Sequence, residues 1–308
     1  MRPALATVLS ARTWEPTLVR LARASALARV VGRAWESTTI DTSGPDVVVV
    51  GAETAWLSKA IVAAWQGVGR AVVGVHRSDA PDERAAVIAL GVDAAVGDDD
   101  VEQILLRACR MASHPRPIGP LVAVTGPRGA PGRSTVALAI GAGLADATVV
   151  DADPEPNLGP LLGLPPGPIR DDLVRSLRAS GTIPGIHRTA GTRVWAPFGP
   201  IPGEALSCLR ASGPVVVDAG PFPAPSLPAG TSLDVFVVDA SAVGIVRAGA
   251  ALHAWEGRPP ALVLNGVVHQ EDALRACRAA TGLEPAAVIP RCAHPLEAAR
   301  AALDGLAA

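Results

Sequence analysis

The sequence contains no tyrosine and a single lysine, Lys59, so nearly all of its 27 basic residues are arginines. This bias in composition weakens the functional meaning of any one arginine that stands where other proteins have lysine. Charged residues make up only 18% of the chain, and the formal net charge is -2. Such a balance gives no overall attraction to nucleic acid or to an anionic membrane surface, so neither is expected as a partner.

Cysteine and histidine are also scarce and scattered. The four cysteines, Cys109, Cys208, Cys277 and Cys292, lie far apart and form no C-x-x-C pair, and the six histidines form no cluster with them. A structural zinc site or a redox-active pair needs such ligands at short spacing. The sequence therefore predicts no metal site of this kind, and its cysteines are expected to be reduced.

Long hydrophobic runs are missing as well. No segment reaches the roughly 18 uninterrupted apolar residues that a membrane-spanning helix requires. The apolar run within residues 1–17 is too short for a signal peptide, and charge interrupts it early. We expect a cytoplasmic protein without a transmembrane segment.

What the sequence does have is a regular alternation of strand and helix patterns. With 308 residues, 49% of them hydrophobic, the chain is expected to form two domains of roughly 100–200 residues each. The run DVVVVGA (46–52) is typical of a buried parallel strand, and residues 56–69 predict a helix that ends at glycine. Residues 19–33, rich in arginine, are interpreted as a solvated helix face. The alternation favours a parallel, doubly wound α/β domain over residues 1–111.

A linker and a second α/β domain follow. The segment 112–120 carries three prolines and a glycine, so we place the linker at 112–119 and the second domain at 120–308. The predicted strands of the second domain are LVAVTG (121–126), ATVVDAD (147–153), TRVWAP (192–197), PVVVDAG (214–220), LDVFVVDAS (233–241), ALVLNGVV (261–268) and AAVIP (286–290). In such sheets ligands bind in the crevice at the carboxyl ends of the strands, so polar residues there are candidate site residues.

The segment GPRGAPGRST (126–135) lies between a predicted strand and a predicted helix. In a phosphate-binding loop of this kind, backbone N–H groups and the start of the helix point at the anion, and glycines permit its close approach. Gly129 and Gly132 stand where the turn requires them, and Ser134 and Thr135 supply hydroxyls at the start of the helix, where such loops use a hydroxyl to bind magnesium. Arg133 occupies the position of the usual lysine. An ordinary strand–helix turn rich in glycine and proline is the alternative interpretation.

Polar side chains also follow three of the later strands. Asp151 and Asp153 follow one strand, Asp218 another and Asn265 a third. Because the carboxyl ends of parallel strands form one edge of the sheet, these side chains are expected to face the crevice. The alternative for Asp151 and Asp153 is capping of the next helix, and an asparagine that ends a turn is common.

This ordered set resembles the MinD/ParA group of deviant P-loop ATPases, whose loop reads KGGVGKTT. It is most similar to the CpaE/TadZ branch, in which a receiver-like domain precedes the ATPase domain, and to proteins described as septum-site-determining-like. The resemblance covers residues 120–295, and the first domain resembles a receiver in layout only. It implies a receiver-like parallel α/β domain followed by a MinD/ParA-like, doubly wound P-loop domain.

The resemblance also implies roles for individual residues. Arg128 takes the place of the signature lysine that reaches across a nucleotide-bridged dimer, and Arg133 takes the place of the phosphate-binding lysine. Asp153 resembles the first-switch aspartate, which helps to position the attacking water. Ser134 matches the magnesium-binding hydroxyl, and Asp218 resembles the second-switch aspartate, which orders water around magnesium. The implied catalytic residues are Asp153, Asp218 and Arg128. The implied nucleotide contacts are Arg128, Gly129, Ala130, Pro131, Gly132, Arg133, Ser134, Thr135, Asn265 and Pro290.

Three positions depart from the phosphate-loop pattern. Pro127 replaces the opening glycine of the general motif, and Pro131 removes one backbone N–H from the loop. The planar guanidinium of Arg133 is not interchangeable with a lysine ammonium in a tight cradle. Hydrolysis depends on the placement of charge more strongly than ground-state binding does. We therefore expect weak ATP binding or a pseudo-ATPase.

The first domain lacks the chemistry of a receiver. A receiver accepts phosphate on an aspartate at the end of its third strand, beside an acidic magnesium pocket. Here that strand leads into Gly51 and Ala52, and no acidic pair follows the first strand. Glu53 is either a mimic or an ordinary charged loop residue. The expected role of this domain is docking to another protein.

The resemblance leads to an expected function for the whole chain. The protein is expected to be a spatial regulator that binds ATP and Mg²⁺ and pairs as a homodimer through the nucleotide. It would present a surface to a protein of a pilus or secretion assembly or of the division machinery, with polar or septal localisation through that partner. The alternatives are an active ATP-hydrolysing partitioning ATPase, a P-loop ligase or kinase, and a structural scaffold that binds no nucleotide.

Overall fold

The computed structural model describes residues 2–37, 39–40, 44–113, 118–129, 132–169, 172–173, 175–176, 183–189, 191–199, 201–223, 231–304 and 306. The chain forms two compact units, one built on Met1–Ile118 and the other on Gly119–Val174 and Ile183–Ala308. Of the predicted linker, 112–119, residues 112 and 113 end a helix that begins at Val101, and residues 114–117 lie outside the described ones.

In the first unit, the described residues form a parallel sheet of five strands. The strands are β1 (Ala4–Val8), β2 (Arg29–Ala34), β3 (Val47–Gly51), β4 (Ala71–His76) and β5 (Ala94–Gly97). The helices include α1 (Trp14–Ser25), α2 (Lys59–Gly67), α3 (Pro81–Ala89) and α4 (Val101–Ser113). The strand order is β2-β1-β3-β4-β5, which is a doubly wound order.

Burial on both faces of this sheet explains its continuous apolar strands. Every residue of β3 is buried. On one face, Trp14 of α1 and Ile104 of α4 belong to the hydrophobic core, and on the other face Val62 and Trp65 of α2 do. A strand covered on both faces needs no alternation of polar residues. The prediction of a parallel strand at 46–52 is therefore confirmed.

The arginine-rich segment 19–33 is not one helix. Helix α1 ends at Ser25, Ala26 adopts a left-handed conformation with φ of 54°, and the chain enters β2 at Arg29. The prediction of a solvated helix face is therefore wrong for the second half of this segment. Strand β2 lies at the edge of the sheet, where exposed charged side chains are common.

The carboxyl edge of the first sheet holds an arginine among carboxylates. Arg12, which follows β1, donates two hydrogen bonds of 2.8 and 3.0 Å to Glu83 and lies 3.6 Å from Glu53 and 3.7 Å from Asp98. The hydrogen bonds from Arg12, and one from the backbone of Arg77, lower the pKa of Glu83 to about 2. Glu53 is therefore part of an ion-pair network.

The described residues of the second unit form an eight-stranded sheet. The strands are β6 (Leu121–Gly126), β7 (Thr148–Asp151), β8 (Ile186–Thr189), β9 (Thr192–Trp195), β10 (Val215–Pro221), β11 (Leu233–Asp239), β12 (Ala261–Val267) and β13 (Ala287–Pro290). The helices include α5 (Arg133–Gly143), α6 (Leu158–Leu161), α7 (Gly203–Ser212), α8 (Ala242–His253), α9 (Gln270–Thr281) and α10 (Pro295–Leu303). The predicted α/β class with parallel sheets is confirmed.

Strand order places β6 near the centre of the second sheet. The order is β13-β12-β11-β6-β10-β7-β9-β8, and the pairs are parallel except for the β8–β9 hairpin. One face is covered by a core that includes Val136 and Ile140 of α5, and the other by a core that includes Phe236 and Ile245. Among the described residues, no helix is both long enough and apolar enough to cross a membrane.

A buried ion pair joins α1 to β2 in the first unit. Glu15 is 1% exposed and accepts a hydrogen bond of 2.6 Å from the hydroxyl of Thr7. Arg33 donates two hydrogen bonds, of 2.8 and 2.6 Å, to the two oxygens of the same carboxylate. The buried charge of Glu15 is thus compensated by one arginine on a neighbouring strand.

We expect Arg33→Met to lower the free energy of unfolding by about 2–4 kcal/mol, because the variant leaves the buried carboxylate of Glu15 without its cation. The expected loss is smaller than for a fully buried pair because Arg33 is partly exposed. Arg29→Met removes the same charge from the same strand and is the matched control, since Arg29 makes no ion pair with the described residues. Urea unfolding of both variants measures the difference. Equal losses in the two variants would contradict this role of Arg33.

Candidate functional site

The loop after β6 carries the glycines that the sequence singled out. Gly129 and Gly132 have φ of 73° and 104°, a left-handed region that other residues enter only with strain. A Cβ atom at Gly132 would also collide with the side-chain amide of Asn265. The left-handed backbone therefore favours glycine at this position, and a larger residue would also have to displace the amide of Asn265. Ala130 and Pro131 lie outside the described residues.

Ser134 and Asp218 meet at the start of α5. The hydroxyl of Ser134 donates a hydrogen bond of 2.6 Å to Oδ2 of Asp218 on β10. Asp218 is fully buried, and its Oδ1 has no hydrogen-bond partner among the described residues. Burial raises the pKa of Asp218 to about 6; the bond from Ser134 lowers it, and nearby Asp151 raises it further.

Arg133 points toward a carboxylate. Its Nη2 lies 3.2 Å from Oδ2 of Asp153, and its Nη1 donates to the carbonyl of Pro127 at 3.2 Å. The side chains of Arg133 and Asp153 are only 13% and 3% exposed. The remaining nitrogen of the guanidinium group, Nε, is buried without a partner among the described residues.

The two aspartates after β7 have different surroundings. Asp151 accepts hydrogen bonds from the backbone N–H of Leu158, at 2.8 Å, and from that of Asp153, at 3.4 Å. Burial raises its pKa, and these backbone bonds oppose the shift. Asp151 therefore holds the start of α6, as the capping alternative predicted. Asp153 faces Arg133, and its Oδ1 accepts a bond of 2.9 Å from the backbone of Glu155.

The other residues predicted to contact the nucleotide lie at different distances from the loop after β6. Arg128 is exposed, and its carbonyl accepts a bond of 3.4 Å from Arg247 of α8. Thr135 is partly exposed on α5, and Asn265 lies beside Gly132. Pro290 is the exposed last residue of β13, three strands away from β6 in the sheet order.

Two further residues lie at the site that were not among the predicted ones. Arg247 lies against the loop, with Nη1 2.9 Å from the position that a Cβ atom of Gly129 would take. Gly220 has φ of 74°, and a Cβ atom there would lie 2.8 Å from Cγ of Asp153. The glycine two residues after Asp218 was a detectable signal, whereas nothing near Arg247 marks it. No cluster of three metal-ligating side chains occurs among the described residues.

The pKa of Asp218 predicts a stability that falls as pH rises. Because the folded-state value, about 6, lies above the ordinary 3.8, the folded state binds this proton more tightly than the unfolded state. This contribution to the free energy of unfolding is present below about pH 4 and is lost by about pH 6, a change on the order of 3 kcal/mol.

Asp218→Asn is expected to remove this pH dependence and to be more stable than the wild type at neutral pH. Asp234→Asn, on β11 of the same sheet, is the control. Chemical unfolding at about pH 4.5 and about pH 7.5 measures both. A wild-type pH slope retained in Asp218→Asn would show that another group titrates.

Comparisons with known proteins bear on the fold. No family model matches the chain, and no curated protein matches its sequence. The MinC:MinD cell division protein complex of Aquifex aeolicus is similar at 16% identity and a TM-score of 0.45, over 59% of this chain and 86% of that one. A ParA family ATPase from Chlorobium tepidum TLS is similar at 13% identity and 0.45, over 60% and 90%. An McdA–ATP complex from Cyanothece is similar at 14% identity and 0.40, over 62% and 90%. At these identities and TM-scores the likeness assigns no family and no function to the chain.

Proposed function

We propose that this protein is a nucleotide-responsive regulator of the MinD/ParA kind, which binds ATP with Mg²⁺ and hydrolyses it slowly or not at all. The observation that carries the proposal is the contact between Ser134, in the first turn of α5, and the buried Asp218 of β10. A strand end, a glycine loop and a helix start converge on this contact. That arrangement is the one that binds nucleotide phosphates in α/β folds.

The residues present fit a hard divalent cation. Mg²⁺ prefers hydroxyl, carboxylate and water oxygens, and Ser134 and Asp218 offer the first two. Oδ1 of Asp218 is buried without a hydrogen bond among the described residues, which costs free energy unless a water or a cation satisfies it. Ser134 would hold the ion directly and Asp218 through water. Bound Mg²⁺ supplies positive charge to phosphate oxygens.

The hydrogen-bond donors of the loop favour binding of a nucleotide more than its rapid hydrolysis. The backbone N–H groups at the first turn of α5 have no partners within the helix and face the loop. Pro131 contributes no N–H, and the planar guanidinium of Arg133 stands where a lysine ammonium would be. Hydrolysis requires a cation placed on the transferred group, so the proposed protein holds its nucleotide for longer than an efficient ATPase would.

The order of the two units supports a CpaE/TadZ-like role. A first α/β unit without a receiver's phosphoacceptor precedes the nucleotide unit, and we assign it to protein docking. Two copies would pair through the nucleotide, with the exposed Arg128 reaching across. The proposed partner belongs to a pilus, secretion or division assembly, and the proposed location is cytoplasmic, at a pole or septum through that partner.

Thermal unfolding with and without Mg-ATP tests the proposed function. A ligand that binds only the folded state at about 100 times its Kd adds about 2.7 kcal/mol of stability, so the unfolding temperature should rise. The rise should disappear in the Ser134→Ala, Asp218→Ala double variant. It should persist in Ser58→Ala, which removes a hydroxyl cap from α2 in the first unit. Failure of the wild type to respond would leave a scaffold without nucleotide.

Arg128→Ala tests the proposed pairing of two copies. Because Arg128 is exposed, the variant should fold as the wild type does. Its nucleotide-dependent dimer should weaken by roughly tenfold or more, as expected for an arginine at an interface centre. Sedimentation velocity measures the dimer, and Arg258→Ala, at another exposed arginine, is the control. An unchanged dimer would exclude Arg128 from the interface.

A further inference from the structure

We propose that the carboxylate of Asp153 competes with nucleotide phosphate for Arg133, so that the Arg133–Asp153 ion pair is an autoinhibitory contact that keeps the phosphate site closed. This inference rests on the proposed function and adds regulation to it. It concerns the resting state of the site, whereas the resemblance assigned Asp153 to water positioning.

The ion pair engages the cation that the loop would otherwise offer to phosphate. One terminal nitrogen of Arg133 contacts Asp153 and the other contacts the carbonyl of Pro127. A guanidinium group matches a carboxylate and a phosphate through the same planar fork of N–H groups. Each terminal nitrogen donates one of its two N–H groups to these acceptors, so the fork that faces Asp153 becomes available to a phosphate oxygen only when Arg133 leaves the carboxylate.

Exclusion of water makes the competition strong. The side chains of Arg133 and Asp153 are 13% and 3% exposed, and charges in such surroundings are screened much less than at a surface. Asp153 is also tethered close to Arg133, so it competes at a high effective concentration. A phosphate must therefore interact with Arg133 more favourably than the carboxylate already does. This competition reduces the apparent affinity for nucleotide.

Backbone contacts hold Asp153 in this position before any ligand arrives. Its Oδ1 accepts a bond from the backbone of Glu155, and Asn157 lies 3.5 Å from its Oδ2. Gly220 approaches the carboxylate so closely that a Cβ atom would lie 2.8–3.1 Å from it. The carbonyl of Gly220 in turn accepts a bond of 2.8 Å from the buried hydroxyl of Thr125, at the end of β6. Three strand ends thus hold the competing anion.

Release of Arg133 has a consequence for the segment that follows β7. Once the guanidinium turns to phosphate, the carboxylate of Asp153 loses its cation while it remains near the buried Asp218. A buried carboxylate that has lost its partner cation is destabilised, so Asp153 and its neighbours, up to Asn157, are held less firmly at the site. Occupancy of the phosphate site is thereby coupled to the position of residues 153–157.

Asp153→Asn tests the competition because it keeps the shape and the acceptor for Glu155 while it removes the charge. The affinity of Mg-ADP and of a non-hydrolysable ATP analogue, measured by calorimetry on the full chain, should increase roughly tenfold, within the usual range of coupling between sites. These two probes exclude any effect of arrested hydrolysis. Glu155→Gln removes the neighbouring exposed carboxylate and is the matched control, with no change expected.

A double-mutant cycle separates release of Arg133 from a general structural effect. In an Arg133→Ala background no guanidinium remains to be released, so Asp153→Asn should give no gain in affinity. An equal gain in both backgrounds would overturn the proposal and leave only a charge effect.

The remaining outcomes distinguish this proposal from the proposed function. Binding by the wild type with no gain in Asp153→Asn overturns the autoinhibitory contact and leaves nucleotide binding intact. Binding by Asp153→Asn alone supports the contact in its strongest form. Absence of binding in both overturns the proposed function, and the contact with it.

Discussion

The carboxyl ends of parallel strands lie at the same edge of a sheet, so the residues that follow different strands come close together there. The candidate site depends on this constraint. Strands β6, β10 and β7 are neighbours in that order, so the glycine loop, Asp218 and Asp153 meet although they are far apart in the sequence. Helices cover both faces and keep the strands apolar. Polar side chains are therefore found at the carboxyl edge. Because several of them are buried there, each charge is stable only if a hydrogen bond or an opposite charge compensates it.

Three carboxylates of the second unit are compensated in three ways. Asp151 accepts backbone N–H groups, Asp153 faces Arg133, and the side chain of Asp218 accepts one hydrogen bond from the described residues, that of the Ser134 hydroxyl. The least compensated of them is the one whose pKa rises to about 6. Perturbed carboxylates cluster at functional sites because a site poised for a ligand leaves a charge unsatisfied until the ligand binds. This is why Asp218, rather than Asp151, marks the candidate magnesium position.

The carboxyl edge of the first sheet also holds several acidic side chains, but there an arginine of the same unit compensates them. Arg12 contacts Glu53, Glu83 and Asp98 together, so an internal cation satisfies the acids that gather there. Among the described residues, the buried carboxylate oxygen without a partner lies in the second unit, on Asp218. In the second unit, one buried carboxylate oxygen is therefore left for a water or a ligand to satisfy.

The α/β class was readable from the sequence by itself, because strands buried on both faces form continuous apolar runs and glycines punctuate the turns between strands and helices. The same patterns placed Ser134, Asp153 and Asp218 at one edge. They did not reveal β2, β5 or β8, which are short or partly exposed strands with weak apolar patterns.

Only the tertiary structure decided which way Arg133 points. It also decided that Asp151 accepts hydrogen bonds from backbone N–H groups while Asp153 pairs with Arg133. Local sequence does not specify such partners, since a guanidinium at a helix start reaches either an anion in the loop or a carboxylate on another strand. The distance between elements brought together by the sheet selects one of them, and here it selects Asp153.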